Sequence, residues 1–286
     1  MIEEFPQPRK QPDQTALSGR RLGLAFLALV CLFLVGFDSI RDVEALQHSH
    51  ALGMADYAGY TVCHRLTEHS FVFAGRQMPL CARCSGMYLG IALVFSVMVL
   101  AGRWRWSEMP SLSILLAFAG LLGLMGVDGL NSFSHFIPDA PHLYEPKNWI
   151  RLATGMGTGL GMGSVAFPAL AQTLWKRQIH QPSLGNWREF GGLILLAAIV
   201  ILLVLSNQTA ILYVLSFVSA VSVVAILTTL NTVLMLLFLR RDGRAERWSQ
   251  AIAPLVVGLC LALLQIGVVS YVRYSLTGTM TGFPGM

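Results

Sequence analysis

Three cysteines and two histidines stand close together in the first half of the chain, and their types and spacing are suited to binding a metal ion. They are Cys63, His64, His69, Cys81 and Cys84. The last two have Cys-x-x-Cys spacing, which brings two sulfurs close enough to chelate one ion or to form a disulfide. Cys63, with His64 or His69, would complete a tetrahedral site. Zn²⁺ is the expected ion, because it favours thiolate and imidazole ligands.

The position of the Cys-x-x-Cys pair favours thiolates. Pro79 suits the first turn of a helix, where the missing N–H of proline costs nothing. Cys81 and Cys84 then fall in the opening turn, where unpaired N–H groups favour the thiolate. Thiolates serve metal binding and thiol–disulfide exchange equally well, and a structural disulfide or inert thiols stay open. The alternative function is therefore a membrane thiol oxidoreductase that uses Cys81 and Cys84 as its active pair and Cys63 as a relay.

A second polar group follows near the end of an apolar run. An acid such as Asp128 is costly there unless it is paired or hydrated, and we expect it to pair with Arg151. Asp128, Asn131 and His135 recur at three and four residues, so they share one face of a helix. This pattern fits either a functional polar site at the membrane boundary or a helix-end salt bridge with capping groups. The candidate catalytic residues are Asp128, Asn131, His135 and Arg151, and whether the protein is an enzyme is left open.

Membrane-spanning helices are the elements that must position these residues. The 286-residue chain is 55% hydrophobic and 12% charged, whereas soluble proteins carry about 25% charged residues. Its apolar residues form long runs, and roughly 20 such residues cross a bilayer. We therefore predict an all-α, polytopic membrane protein with about seven spans. Their approximate ranges are 22–37, 85–102, 111–130, 151–175, 189–206, 210–239 and 250–274.

Positive charges predict the orientation of the chain. Thirteen of the 20 Lys and Arg residues fall in the loops on the side of the N-terminus, which places that side in the cytoplasm. We expect a multi-pass protein of the inner (plasma) membrane. Residues 1–19, rich in Pro and Gln, are expected to form a disordered cytoplasmic tail, and 20–286 a single helical membrane domain. An extracytoplasmic loop, 39–84, then carries the Cys/His cluster.

Charge also limits the partners. The net charge of +5 comes from basic residues in short loops beside apolar runs, without an interleaved aromatic stripe, so no nucleic-acid partner is expected. The expected partner is the lipid bilayer, and protein partners are unknown. A non-catalytic transporter or assembly factor is a third alternative. The apolar runs contain few charges apart from Asp128, which weighs against an ion pathway.

Glycine patterns predict which helices pack closely. In the fourth predicted span, Gly155, Gly159 and Gly163 recur at intervals of four, and four glycines of the third span recur at intervals of three. Small residues on one side of a helix let a neighbouring backbone approach. We therefore expect the third and fourth spans to pack tightly together.

Two parts of the chain resemble a bacterial membrane protein family called domain of unknown function 2085. The resemblance covers about residues 60–165 and implies a multi-span membrane fold, but it implies no activity. The first part contains Cys63-His64, Ser70-Phe71, Gly75 and the run from Pro79-Leu80-Cys81-Ala82-Arg83-Cys84-Ser85-Gly86 to Gly90. The second part contains Asp128, Asn131-Ser132, Asn148, Arg151 and Thr154-Gly155.

Overall fold

The computed structural model describes residues 50–135, 137, 141 and 143–279, and this part of the chain is mainly helical. The all-α prediction is therefore confirmed. The predicted tail 1–19 and the first predicted span, 22–37, lie outside the described residues. The helices are α1 (His50–Val62), α2 (Ala82–Leu100), α3 (Leu112–Ser134), α4 (Asn148–Leu174), α5 (Trp187–Leu205), α6 (Thr209–Phe238) and α7 (Trp248–Thr277).

Short elements connect these helices. A 3-10 turn, Thr67–His69, precedes an antiparallel hairpin of β1 (Val72–Phe73) and β2 (Arg76–Gln77). At the opposite end of the bundle, β3 (Trp106–Glu108) pairs in parallel with β4 (Ile179–Pro182). The connections are thus tied down by backbone hydrogen bonds.

Five of the described helices, α2, α3, α5, α6 and α7, are long and apolar enough to cross a membrane. Helix α4, with 27 residues, is about 40 Å long, which is also sufficient. It is less apolar because glycine and threonine occupy much of it, but it is enclosed by α2, α3 and α6. The protein is therefore a multi-pass membrane protein, although the count of seven spans stays a prediction.

Among the described residues, α2 and α4 make the most extensive contact between helices. A Cβ atom added to Gly155 would lie 2.1 Å from the carbonyl oxygen of Arg83, and one added to Gly159 would lie 2.0 Å from that of Met87. Only glycine allows two backbones to approach so closely. Since the contacts advance in the same direction along both helices, α2 and α4 are parallel and start at the same end of the bundle.

The predicted packing of the third span on the fourth is confirmed, because α3 contacts α4, but the glycines of α3 do not form this contact. Around Gly120, Gly123 and Gly126 of α3, no heavy atom comes within 4 Å of an added Cβ. Helix α3 instead packs side chains against the other face of α4, where Leu121 lies 3.2 Å from the position of a Cβ on Gly157. The spacing of glycines identified a smooth helix face but not the neighbour that covers it.

The bundle has two chemically different ends. We call the end where α2 and α4 begin the sulfur end, because Cys63, Cys81 and Cys84 lie there. We call the opposite end the tryptophan end, because Trp104, Trp175 and Trp248 form an aromatic cluster there. Trp104 and Trp248 stack with ring centroids 4.5 Å apart. The basic connections 103–105, 176–188 and 240–247 belong to the tryptophan end, and its cytoplasmic orientation remains a prediction.

The predicted loop 39–84 is more structured than expected, because it contains α1 and the β1–β2 hairpin. Helix α1 packs on α6 and α7. The Thr61 hydroxyl bonds to that of Ser270 at 2.9 Å, and Arg273 Nη1 donates to the carbonyl oxygen of Cys63 at 2.5 Å. These contacts fix the end of α1, and with it Cys63, against the last helix.

Candidate metal centre

The sulfur atoms of Cys63, Cys81 and Cys84 lie within 4.8 Å of one another. All three are free thiols, with Cys63 and Cys81 buried and Cys84 half-buried. Sulfurs bound to one tetrahedral Zn²⁺ are roughly 3.8 Å apart, given Zn–S bonds of about 2.3 Å. Closing around an ion therefore needs only small side-chain movements. The predicted convergence of the three cysteines is confirmed by this geometry.

Three local features bring Cys63 to the start of α2. Cys63 follows directly after α1, and Cys81 is the N-cap residue of α2. The hairpin turns at Ala74 and Gly75, both at positive φ, and returns the chain toward α1. There α1 meets Pro79 closely, because a Cβ added to Gly59 would lie 2.0 Å from the Pro79 carbonyl oxygen. Backbone packing thus fixes the separation of the two cysteine segments.

Hydrogen bonds single out Cys63 as the thiolate of the cluster. The backbone N–H groups of Arg65 and Cys81 donate to its sulfur at 3.4 and 3.3 Å. Hydrogen bonds from the Cys81 and Cys84 side chains, together with these amides, lower the pKa of Cys63. The hydrogen bond to Cys63 and burial raise the pKa of Cys81. The backbone thus supplies hydrogen-bond donors to a sulfur outside the Cys-x-x-Cys pair, which favours a thiolate at Cys63.

The two histidines lie beside the sulfurs without joining them. Among the described residues, the group of donor atoms within 4.8 Å of one another contains only the three cysteines. The rings of His64 and His69 meet edge to face, with centroids 6.0 Å apart. Burial and the positive charge of Arg151 lower the pKa of His69 to about 4, so it is neutral at neutral pH. Their role as ligands stays a prediction.

Asp128 has a different partner from the one expected. Its carboxylate accepts hydrogen bonds from Arg83, through both Nε and Nη2, and from the Tyr144 hydroxyl at 2.8 Å. Among the described residues, no hydrogen bond joins it to Arg151. Because Arg83 lies between Cys81 and Cys84 in the sequence, it connects the sulfur cluster to the buried acid.

Sequence reasoning missed two members of this network. The sequence identifies Arg83 only as part of the run that resembles the family, and it predicts no role for Tyr144. The position of Arg83 between the two cysteines, in the first turn of α2, could have indicated its role, since that turn lies beside the cysteine cluster. For Tyr144 no comparable signal exists, because a loop brings it to Asp128.

Asn131 and His135 serve the loop that follows α3. The Asn131 side chain accepts from the backbone N–H of Leu143 at 2.7 Å and donates to the carbonyl oxygen of Tyr144 at 2.8 Å. A ring nitrogen of His135 lies 3.1 Å from the carbonyl oxygen of Asn131. These contacts match the capping interpretation of both residues.

Comparisons with known proteins cover the part of the chain that holds these groups. Residues 63–165 match the family described as Predicted membrane protein (DUF2085), which confirms the resemblance over that segment. An uncharacterised protein of Methanothermobacter thermautotrophicus is 29% identical over 101 residues, or 35% of this chain and 80% of that protein. An uncharacterised protein of Methanocaldococcus jannaschii is 26% identical over 122 residues, or 42% and 72%. The similarity thus extends beyond bacteria to archaea. No solved structure matches.

Proposed function

We propose that this multi-pass membrane protein binds one Zn²⁺ ion through Cys63, Cys81 and Cys84 at the sulfur end of its bundle. The convergence of three thiols within 4.8 Å carries the proposal. A disulfide would use two of these sulfurs and leave the third without a role. A metal ion uses all three, because zinc sites are commonly built from thiolates held by short segments of this kind.

The surroundings of the sulfurs favour a charged complex. Zn²⁺ with three thiolates carries one net negative charge. Two backbone amides point at Cys63, as expected for a thiolate ligand. The buried guanidinium of Arg65 lies within electrostatic reach of the same sulfur, and since Arg65 and Arg76 share the single carboxylate of Asp56, this group carries net positive charge. The two amides and Arg65 thus compensate, from the side of Cys63, the negative charge that the zinc complex would carry.

The geometry favours three protein ligands and one position open to another molecule. Neither His64 nor His69 belongs to the group of converging donor atoms. A Zn²⁺ ion with an open position supplies Lewis-acid chemistry there. Of the four polar residues expected to act on a substrate, Asp128 and Arg151 are the ones we retain. Asn131 and His135 are engaged in holding the loop after α3.

Metal analysis of the purified, full-length protein in detergent tests this proposal. We expect about one zinc per chain in the wild type and almost none in Cys63→Ser, Cys81→Ser or Cys84→Ser. The matched control is Cys260→Ser, since Cys260 is exposed on α7 and should not affect metal content. Zinc-free wild-type protein after incubation with Zn²⁺ and desalting would overturn the proposal.

Histidine variants test the open position. His64→Asn and His69→Asn should keep their zinc if the protein supplies only the three sulfurs. Loss of zinc in one of them would identify that histidine as a fourth ligand and would indicate a closed, structural site. Both results are read from the same metal-to-protein ratio.

A second candidate function is thiol–disulfide exchange. The half-buried position of Cys84, three residues from Cys81 at the start of a helix, favours it. In this function a partner dithiol would pass two electrons to a Cys81–Cys84 disulfide, and a quinone would reoxidise the pair. Counting alkylated thiols before and after reduction separates the two proposals. An unchanged count argues against exchange, whereas alkylation that increases only after chelation supports bound metal.

A further inference from the structure

We infer that the sulfur end also binds a phosphate group, carried by a lipid headgroup or by free phosphate, with Arg151 as its main ligand. The site lies between the first turn of α4 and the 3-10 turn Thr67–His69. It uses none of the three cysteines as a ligand, but it adjoins the metal site, since Arg151 lies within electrostatic reach of Cys81.

The buried guanidinium of Arg151 requires an anion. Arg151 is only 6% exposed, and its Nη1 donates to the Asn148 side-chain oxygen at 2.9 Å. Its Nε and Nη2 have no hydrogen-bond partner among the described residues. A guanidinium offers five N–H donors, and burying it without an anionic partner is unfavourable.

The nearest acid does not satisfy this requirement. The Asp128 carboxylate accepts hydrogen bonds from Arg83, Tyr144 and Thr154. Arg151 lies within electrostatic reach of both Asp128 and Arg83, so one carboxylate faces two guanidinium groups. Among these three side chains one positive charge is left over beside the start of α4, and the nearby Cys81 sulfur offers no hydrogen bond to Arg151.

The start of α4 adds donors of the same kind. No side chain caps this helix at Lys147, so the N–H groups of Asn148 and Trp149 stay available and its positive end is not compensated. Helix starts bind phosphate for this reason. The Asn148 side chain also donates to the carbonyl oxygen of Glu68 at 3.1 Å, which holds the 3-10 turn over the helix start. The Asn148 side chain thus joins Arg151 to the 3-10 turn at the start of α4.

Phosphate is the anion that fits these donors best. A planar guanidinium binds two phosphate oxygens at once, and the helix amides bind another. The location suits a headgroup as well as free phosphate. Trp149 is 52% exposed and Lys147 is exposed beside it, a pair of residue types typical of the membrane–water interface.

Thermal unfolding of the full-length protein tests the inference. In the first experiment, inorganic phosphate is added to the protein in detergent. In the second, the protein is placed in vesicles of phosphatidylglycerol, with vesicles of a neutral galactolipid that lacks phosphate as the control. We expect phosphate or phosphatidylglycerol to raise the unfolding temperature of the wild type but not of Arg151→Met. Losing a charge-assisted contact should weaken apparent affinity about tenfold or more.

The variants are chosen so that folding does not obscure the result. Methionine resembles arginine in length and removes an uncompensated buried charge, so Arg151→Met should fold at least as well without added ligand. Arg151→Lys should retain part of the response, because lysine keeps the positive charge but lacks the planar guanidinium that binds two oxygens at once. Arg240→Gln, at an exposed arginine of the tryptophan end, should respond as the wild type does.

The experiment with inorganic phosphate and the experiment with lipid vesicles together identify the source of the phosphate group. A response to inorganic phosphate alone supports free phosphate, and a response to phosphatidylglycerol alone supports the headgroup. Equal behaviour of wild type and Arg151→Met in both experiments would overturn the inference. So would a lower unfolding temperature of Arg151→Met without ligand, because Arg151 would then have an internal partner. The response should persist in Cys84→Ser, even if the metal proposal fails.

Discussion

The two ends of the bundle both carry arginines and aromatic residues, but they use them differently. At the tryptophan end, Arg103 pairs with Glu189 and also donates to the Ser183 carbonyl oxygen at 2.9 Å. Arg105 lies over the rings of Trp104 and Trp175. At these residues, charge and aromatic surface hold the connections between helices together.

At the sulfur end, several groups are left available for something outside the chain. Three thiols converge without forming a disulfide, and Arg151 has unused donors. The backbone contact between α2 and α4 holds the helix starts that carry the thiols and Arg151. The difference teaches that backbone packing and side-chain contacts together hold the sulfur end, and that its thiols and part of Arg151 take no part in holding it. We expect binding at the sulfur end and structural support at the tryptophan end.

The largest effect should come from breaking the α2–α4 contact. In Gly159→Val, the new side chain would collide with the carbonyl oxygen of Met87, only 2.0 Å from its Cβ. A backbone atom cannot move aside like a flexible side chain, so the two helices would have to separate, which should cost more than the roughly 1–3 kcal/mol of ordinary overpacking. We expect little monodisperse protein in size-exclusion chromatography and loss of the metal.

The matched control is Gly123→Val in α3. No heavy atom lies within 4 Å of a Cβ at this position, so folded yield and metal content should equal those of the wild type. If both variants behave alike, the backbone contact is not what supports the sulfur end.

Metal removal should have the next largest effect and should be confined to one end. A ligand present at a thousand times its Kd stabilises a protein by about 4.1 kcal/mol, and chelation removes that contribution. We expect a lower unfolding temperature and new protease cleavage between Cys63 and Cys81. Cleavage in the tryptophan-end connections 176–188 and 240–247 should not change, and an increase there would contradict a division between the ends.

Replacing one member of an ion pair should also distinguish the ends. Asp128 is 1% exposed, and Asp128→Asn leaves Arg83 without its carboxylate partner. Breaking such a pair costs about 3 kcal/mol, which urea unfolding would measure. At the tryptophan end, the Lys176–Glu246 pair is exposed, so Glu246→Gln should cause no measurable change. Equal losses of unfolding free energy in the two variants would contradict the difference between the two ends.

The smallest effect concerns Tyr144. In Tyr144→Phe, the hydrogen bond to Asp128 is lost, which should lower the free energy of unfolding by about 1 kcal/mol. The metal content should stay that of the wild type, because Tyr144 does not belong to the sulfur cluster.

This tyrosine also predicts a dependence on pH. Burial and the hydrogen bond to Asp128 raise the pKa of Tyr144 to about 12. An unfolded chain loses the same proton near pH 10. Stability contributed by Tyr144 is therefore complete below about pH 10 and is lost as the pH rises toward 12. Tyr144→Phe should show a shallower loss in that range, and identical slopes would exclude this contribution.

Composition and spacing predicted much of the candidate site. Long apolar runs predicted a helical membrane protein, because only helices of about 20 residues satisfy their own backbone across a bilayer. Cys-x-x-Cys at a helix start predicted two converging sulfurs, since one turn of helix brings such residues together. The prediction that Cys63 joins them was also correct, although its separation of 18 residues from Cys81 does not require it.

Helix α1 and the partner of Asp128 could not be predicted in this way. Helix α1 lies in a stretch that is neither apolar enough for a span nor clearly periodic, and its contacts with α6 and α7 come from the far end of the chain. Arg151 follows Asp128 more closely in the sequence than Arg83 precedes it, yet Asp128 binds Arg83.

The sequence by itself determined the class of the protein, the lengths of its helices and which residue types gather at the start of α2. These are local properties, set by hydrophobicity and by the periodicity of a helix. The tertiary structure alone decided which sulfur accepts hydrogen bonds from backbone amides, which arginine meets Asp128 and which arginine is left with unused donors. Those outcomes depend on how each helix is rotated against its neighbours. Backbone contact at Gly155 and Gly159 fixes that rotation, and no local pattern specifies it.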